Sequence, residues 1–237
     1  MLQFYGKIIG MGITIPIDND EIQALLCRFE NLGGVLNFFV FRCDSEKNEI
    51  ERHRLVACAS LRFAIAKRYD WECQRWTKVN QERQTTIDKL AARIERKAKQ
   101  KGISVDASIA ADMATTKHQT PKMALVEENI LKSCIPVRLS LDLFLHGSND
   151  LGYIYAFSDP PDGIRHIRDK KICNEIFELL NNTLFGEMAL LSIYRWPTNC
   201  SDYFMQEDEY CWGNLFWTVY SPHRNWYIGI LAAEMID

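Results

Sequence analysis

With 237 residues, 47% of them hydrophobic and 25% charged, the chain has the make-up of an ordinary globular protein of one large domain or two small ones. That composition excludes a disordered chain, a collagen-like repeat and a small disulfide scaffold. A formal net charge of −3 excludes a globally basic nucleic-acid binder and leaves room for a local basic patch.

The chain divides into three parts. The first, residues 1–43, reads strand–helix–strand. Residues 2–15 are apolar and β-branched, with glycines at 6, 10 and 12 as bends. Lys7 interrupts the apolar run and Pro16 and Asp18 follow, so no signal peptide is expected here. Asn19 or Asp20 can cap a helix that places Ile22, Leu25, Leu26 and Phe29 on one face. Gly33-Gly34 ends it, and Val35 to Phe41 is a short run of buried-strand type.

The second part, residues 44–135, changes character. From Val35 through Lys101 there is neither glycine nor proline. Leu61, Ile65, Tyr69, Cys73, Trp76, Val79, Ile87, Leu90 and Ile94 recur mostly at steps of three or four, the helical period. The polar stretch Asn80 to Thr86 leaves open one long helix or two. Residues 103–119, rich in Ala, Thr and Ser, read as a connection, and Thr120-Pro121 opens a further helix.

The third part, residues 136–237, is expected to be strand-rich. Leucine at every second position from Arg138 to Leu145 predicts a half-buried strand, with Tyr153 to Phe157 returning as its hairpin partner. Asp169 can cap a helix with Ile172, Ile176, Leu179 and Leu180 on its face. Residues 188–196 read as strand. Leu215 to Tyr220 and Trp226 to Leu231 form a second hairpin around Ser221–Asn225. No internal repeat is evident. The joint expectation is an α+β fold with a mixed or mainly antiparallel sheet. Residues 1–43 and 136–237 would form the core domain, and 44–135 a helical excursion.

No catalytic signature stands out. A P-loop, a dinucleotide fingerprint, a His-Glu-x-x-His pair and a calcium loop are all missing, so no cofactor is expected. The eight cysteines form no Cys-x-x-Cys pair, which predicts buried thiols rather than a metal site. Cys200, Cys211 and His223 are the best ligand trio, and their spacing fits no standard pattern. His146, His166 and His223 each lie near acids or a loop serine, so an enzyme reading needs at least two of them to converge with a carboxylate.

Two surfaces are candidates for binding. Residues 67–101 carry eleven Lys/Arg against five Asp/Glu, and Lys89, Arg93, Arg96 and Lys97 lie close together on a helix. Such a face can contact phosphates, with Trp71 and Trp76 for stacking. The alternative is a solvated helix end. Residues 138–237 are the reverse, with seven Lys/Arg against fourteen Asp/Glu. Eleven aromatics fall between Tyr194 and Tyr227 around Glu207, Asp208 and Glu209. The last two strands carry bulky residues on both faces, so either some of these aromatics lie at the surface or the sheet is buried on both sides with an acidic surface loop. In the first case Tyr210 and Trp212 as anchors, the three acids as steering charges and the His223–Arg224 turn would meet another protein with a basic surface.

The leading expectation is a non-catalytic cytoplasmic protein that occludes a partner through this acidic, aromatic surface. The profile is similar to that of bacterial immunity and antitoxin proteins. A nucleic-acid-binding protein and a histidine-centred enzyme are the alternatives, and the helical part could also pair two copies as a homodimer.

Overall fold

In a computed structural model, the described residues are 13–14, 19–101, 131, 133–147, 152–158, 170–201, 203–204 and 214–232, with the side chains of 94, 95 and 98 left aside. The chain forms two compact units. One comprises residues 1–65 and 124–237, the other residues 66–123.

The first unit is an α+β fold built on an antiparallel sheet. In chain order it contains β1 (Ile13–Thr14), helix α1 (Asp20–Asn31), β2 (Asn37–Cys43) and the start of helix α2 (Glu49–Gln100). There follow β3 (Val137–Leu139), α3 (Leu141–Leu145), α4 (Tyr153–Ser158), α5 (Lys170–Leu184), β4 (Ser192–Arg195), β5 (Leu215–Ser221) and β6 (Trp226–Ala232). The strand order is β1-β2-β6-β5-β4-β3, and all five pairings are antiparallel. The β5–β6 hairpin closes with Ser221 opposite Trp226. Asn225 takes φ 54° there, a left-handed value that asparagine tolerates.

Both faces of this sheet are covered. Trp217 and Val219 of β5 and Ile228 and Ile230 of β6 point to one side, into a core with Phe29 of α1, Phe144 of α3, Tyr153 of α4 and Leu180 of α5. Phe216 and Leu231 point to the other side, where Ala57, Leu61, Ala64 and Ile65 of α2 meet them. Small residues on α2 let it sit close. Gly229 of β6 lies beneath Ser60, and a Cβ added at Gly229 would fall 1.8 Å from Ser60 Oγ. The sheet thus has an apolar layer on each side, and burying each large side chain is worth about 1.5–3 kcal/mol.

That two-sided burial absorbs most of the C-terminal aromatics. Tyr194, Trp196, Tyr203, Phe204, Phe216, Trp217 and Tyr227 are all buried. The expectation that the last two strands expose bulky residues is therefore corrected. The alternative, a sheet buried on both sides, is the arrangement observed, with the long helix on the second face.

Three further expectations are corrected. Residues 138–145 are not one strand but β3 followed by α3. Ser140 caps α3, its hydroxyl accepting from the Leu143 amide at 3.2 Å. Phe144 is fully buried, and Leu141 and Leu145 pack against the same core at helical spacing. Residues 153–157 form a helix for the same reason, since Tyr153, Ala156 and Phe157 recur at steps of three and four. In α5 the buried face is Cys173, Ile176, Leu180 and Leu184, while Ile172 and Leu179 are exposed. Ile176 and Leu180 of the expected face are buried, while Cys173 and Leu184 take the places expected of Ile172 and Leu179.

Of residues 188–196, read as strand, Ser192–Arg195 is strand and Met188–Leu190 is a 3-10 turn. Asn19 caps α1 through its side chain, and Ile22, Leu25 and Phe29 are its buried residues. The choice between one helix and two over the middle of the chain is settled as one, the 52-residue α2. Among the described residues, no helix is long and apolar enough to cross a membrane. The expected strand at 2–12, the connection at 103–119 and the Thr120-Pro121 helix lie outside the described residues.

Candidate functional site

The part of α2 in the second unit, residues 66–100, presents two faces. At 100° per residue, Tyr69, Trp76 and Ile87 share one side with Leu90. Tyr69, Trp76 and Ile87 are half-buried, and Leu90 is exposed. On the opposite side lie Trp71, Arg75, Lys78, Lys89, Arg93 and Arg96, all exposed, and exposed Lys97 flanks them. The Arg75 guanidinium lies over the Trp71 ring at 5.3 Å, which holds a cation and an indole together at the surface. Nearby Arg68 pairs with Glu72 at 3.2 Å. The four cations singled out from sequence, Lys89, Arg93, Arg96 and Lys97, are thus on the solvent side of one continuous helix. Chemically this face offers fixed positive charge and hydrogen-bond donors, which suit phosphate oxygens.

The C-terminal candidates fare differently. Glu207, Asp208, Glu209, Tyr210 and Trp212 lie outside the described residues. His223 and Arg224 form part of the β5–β6 turn, and both are engaged within the chain. Arg224 donates from its guanidinium to the Asn182 carbonyl at 2.8 Å, and Ser221 Oγ donates to the Phe185 carbonyl at 2.7 Å. Those carbonyls belong to the C-terminal turn of α5, where a cation also favours the helix dipole. The His223 ring sits on Gly186 so closely that a Cβ there would fall 2.6 Å from its Cδ2. The turn is anchored, with His223 and Arg224 at its exposed outer side.

The histidines do not converge among the described residues. His146 lines a cleft of about 380 Å³ with Tyr155, Ser158, Lys170, Cys173 and Asn174. Its Nε2 lies 3.9 Å from Asp142. Burial pushes the Cys173 thiol up, so it is no activated nucleophile. His223 is held at Gly186, and His166 lies outside the described residues. No group of three His, Cys, Asp or Glu side chains gathers among the described residues in a way that could hold a metal. Cys200 is buried and its thiol is pushed up to about 12 by burial, while Cys211 lies outside the described residues. Among the described residues no cysteine forms a disulfide; Cys58, Cys173 and Cys200 are buried, and Cys27 is exposed.

Sequence reasoning passed over His53 and His118; His118 lies outside the described residues, and His53 is described. It lies on α2 one turn before Ala57, fully buried between the rings of Tyr194 and Tyr227 at 4.6 and 5.2 Å. Trp196 Nε1 donates to Thr218 Oγ1 at 2.8 Å, and that oxygen lies 2.9 Å from His53 Nδ1. Indole can only donate, so Thr218 Oγ1 accepts from Trp196 and shares a further hydrogen bond with His53 Nδ1. Among the described residues His53 Nε2 and the Tyr227 hydroxyl have no hydrogen-bond partner. Burial, with the positive charges of Arg52 and Arg138, lowers the His53 pKa to about 3. The ring is a neutral core group that no substrate reaches. The helical step from Ala57 back to His53 extends the apolar stripe upstream, and that periodicity is the signal that would have found it.

Comparison with family models, with curated proteins and with solved structures finds no match for this chain.

Proposed function

We propose that this is a non-catalytic binding protein that takes a nucleic acid on the basic face of α2. The observation that carries the reading is the exposed row of Trp71, Arg75, Lys78, Lys89, Arg93 and Arg96 on one side of an unbroken helix. Phosphate contacts of this kind supply affinity without sequence information. The reading is tested by anisotropy of labelled RNA and DNA titrated with the full chain. Changing Arg93, Arg96 and Lys97 to Gln is expected to weaken binding of a nucleic acid long enough to span the whole basic face at least about tenfold in 100 mM salt, since three phosphate contacts are removed. Unchanged affinity in that variant contradicts the assignment.

A second reading is favoured by the anchored turn at His223 and Arg224. A surface fixed before binding loses little entropy when a partner docks. In this reading Glu207, Asp208 and Glu209 meet a basic protein, with Tyr210 and Trp212 as anchors. The chain would then occlude its partner as a bacterial immunity or antitoxin protein does. Changing the three acids to Lys is expected to abolish co-purification of such a partner with the full chain. A partner retained by that variant excludes this surface. Either reading suits a cytoplasmic protein, and pairing of two copies through α2 is compatible with both.

A further inference from the structure

The basic face of α2 is not evenly charged along its length. Trp71, Arg75 and Lys78 form one cluster, and Lys89, Arg93 and Arg96 form another with the same internal spacing. Corresponding members are 18 residues apart, which is five helical turns. The two triads therefore point the same way, separated by about 27 Å along the axis at 1.5 Å per residue. Between them on the same face stands Glu82, exposed and negative.

We propose that the two triads bind a double-stranded RNA at two successive passages of its backbone, with Glu82 facing the groove between them. This rests on the nucleic-acid reading above and narrows it to a class of ligand. A single strand or a membrane surface presents continuous negative charge, and Glu82 would sit against it at a cost. In a duplex each strand presents its phosphates to one side once per helical turn, with a groove on either side of every passage. The turn of B-form DNA is about 34 Å, longer than the gap between the triads. The A-form helix of RNA has the shorter turn, and its shallow minor groove exposes riboses against which Trp71 can lie. Recognition would follow shape and backbone rather than base sequence, because no side chain on a helix lying along the duplex reaches into its deep major groove.

The test uses the full chain and hairpin-capped RNA stems of 8 and 16 base pairs, a 16-base-pair DNA stem and a single-stranded RNA of equal phosphate count. Tethering through two sites raises affinity well beyond either alone, so the 16-pair RNA is expected to bind at least about tenfold more tightly than the other three. Neutralising one triad, by Arg75→Gln with Lys78→Gln or by Lys89→Gln, Arg93→Gln and Arg96→Gln, is expected to bring the 16-pair RNA down to the level of the 8-pair stem. The same changes should leave the 8-pair stem within about twofold, because either triad alone can hold it. Insertion of two alanines after Arg83 keeps every charge and rotates one triad by about 200°, and it is expected to produce the same loss. The length series on the unaltered chain stands even where a variant does not fold. Equal affinity for single strand and both stems overturns the duplex proposal and leaves nucleic-acid binding in place. Preference for the DNA stem over RNA overturns the A-form assignment. Binding to none of the four removes both the proposal and the reading it rests on.

Discussion

At the scale of single residues, the most consequential group is one with no access to solvent. His53 is enclosed by Tyr194, Tyr227 and Thr218, and its proton affinity is set by that enclosure. The sign of the consequence follows from linkage. The folded pKa of about 3 lies below the ordinary value of 6.5, so below that value the unfolded chain binds a proton that the folded chain does not. Stability is therefore expected to fall as the pH drops from about 6.5 toward 3, by at most about 1.4 kcal/mol per pH unit from this one group. Urea unfolding of the unaltered chain and of His53→Gln at pH 7, 6, 5 and 4 reads this directly. The variant is expected to start less stable and to lose less with acid. Parallel pH profiles would contradict the role assigned to burial.

The same residue shows why a site can escape a sequence reading. His146, His166 and His223 stand beside acids and turns in the sequence, where chemistry is usually exposed. His53 has Glu49 and Glu51 close by in the sequence but falls inside a helical run rather than in a turn. Thr218 and Trp196 are 165 and 22 residues from their respective partners in the network, and only the sheet brings them together.

At the scale of elements, legibility tracks how local the determining interactions are. Helix α1 was readable because Asn19 caps it and Ile22, Leu25 and Phe29 repeat within it. The β5–β6 hairpin was readable because its turn and its strands are contiguous. The segment 138–145 was not, because alternating leucines satisfy the strand period and the competing signal is a single serine. Ser140 caps α3 by one hydrogen bond, and tertiary burial of Phe144 decides the rest. The buried face of α5 differs from the expected one for a similar reason: Cys173 and Leu184 are as apolar as Ile172 and Leu179, and packing on Phe177 and Tyr153 selects among them.

Contact between α2 and the sheet offers a sharper test of an element-level claim. Ser60 is fully buried over Gly229, with its hydroxyl donating to the Val56 carbonyl at 2.7 Å. Any side chain at 229 forces the helix away from β6. Gly229→Ala is expected to destabilise the fold by about 1–3 kcal/mol, the usual cost of overpacking. Combining it with Ser60→Gly is expected to restore part of the loss, read as the shift in the urea midpoint. A Gly229→Ala chain as stable as the original would mean the helix does not approach so closely.

At the scale of the whole molecule, the α+β class and the long helix between two sets of strands were legible, and the function was not. The reason lies in the second face of the sheet. Tyr194, Trp196, Phe216 and Tyr227 look like a binding surface in a sequence, because nothing local shows that a helix more than 120 residues upstream covers them. Once they are accounted for as core, the remaining polar asymmetry belongs to residues 66–100 and to the acids at 207–209. Of these, the basic face is carried by described residues of one continuous helix, and the account of function rests on it.

That account makes its most direct commitment in the salt dependence of binding. The observed association constant of the full chain for a 16-base-pair RNA stem would be measured from 50 to 300 mM potassium chloride. Five cations in two triads, each displacing counterions on phosphate contact, predict a slope of log K against log salt of about −4 to −5. A slope near zero, or no measurable binding at the lowest salt, would contradict the claim that the basic face of α2 is the working surface of this protein.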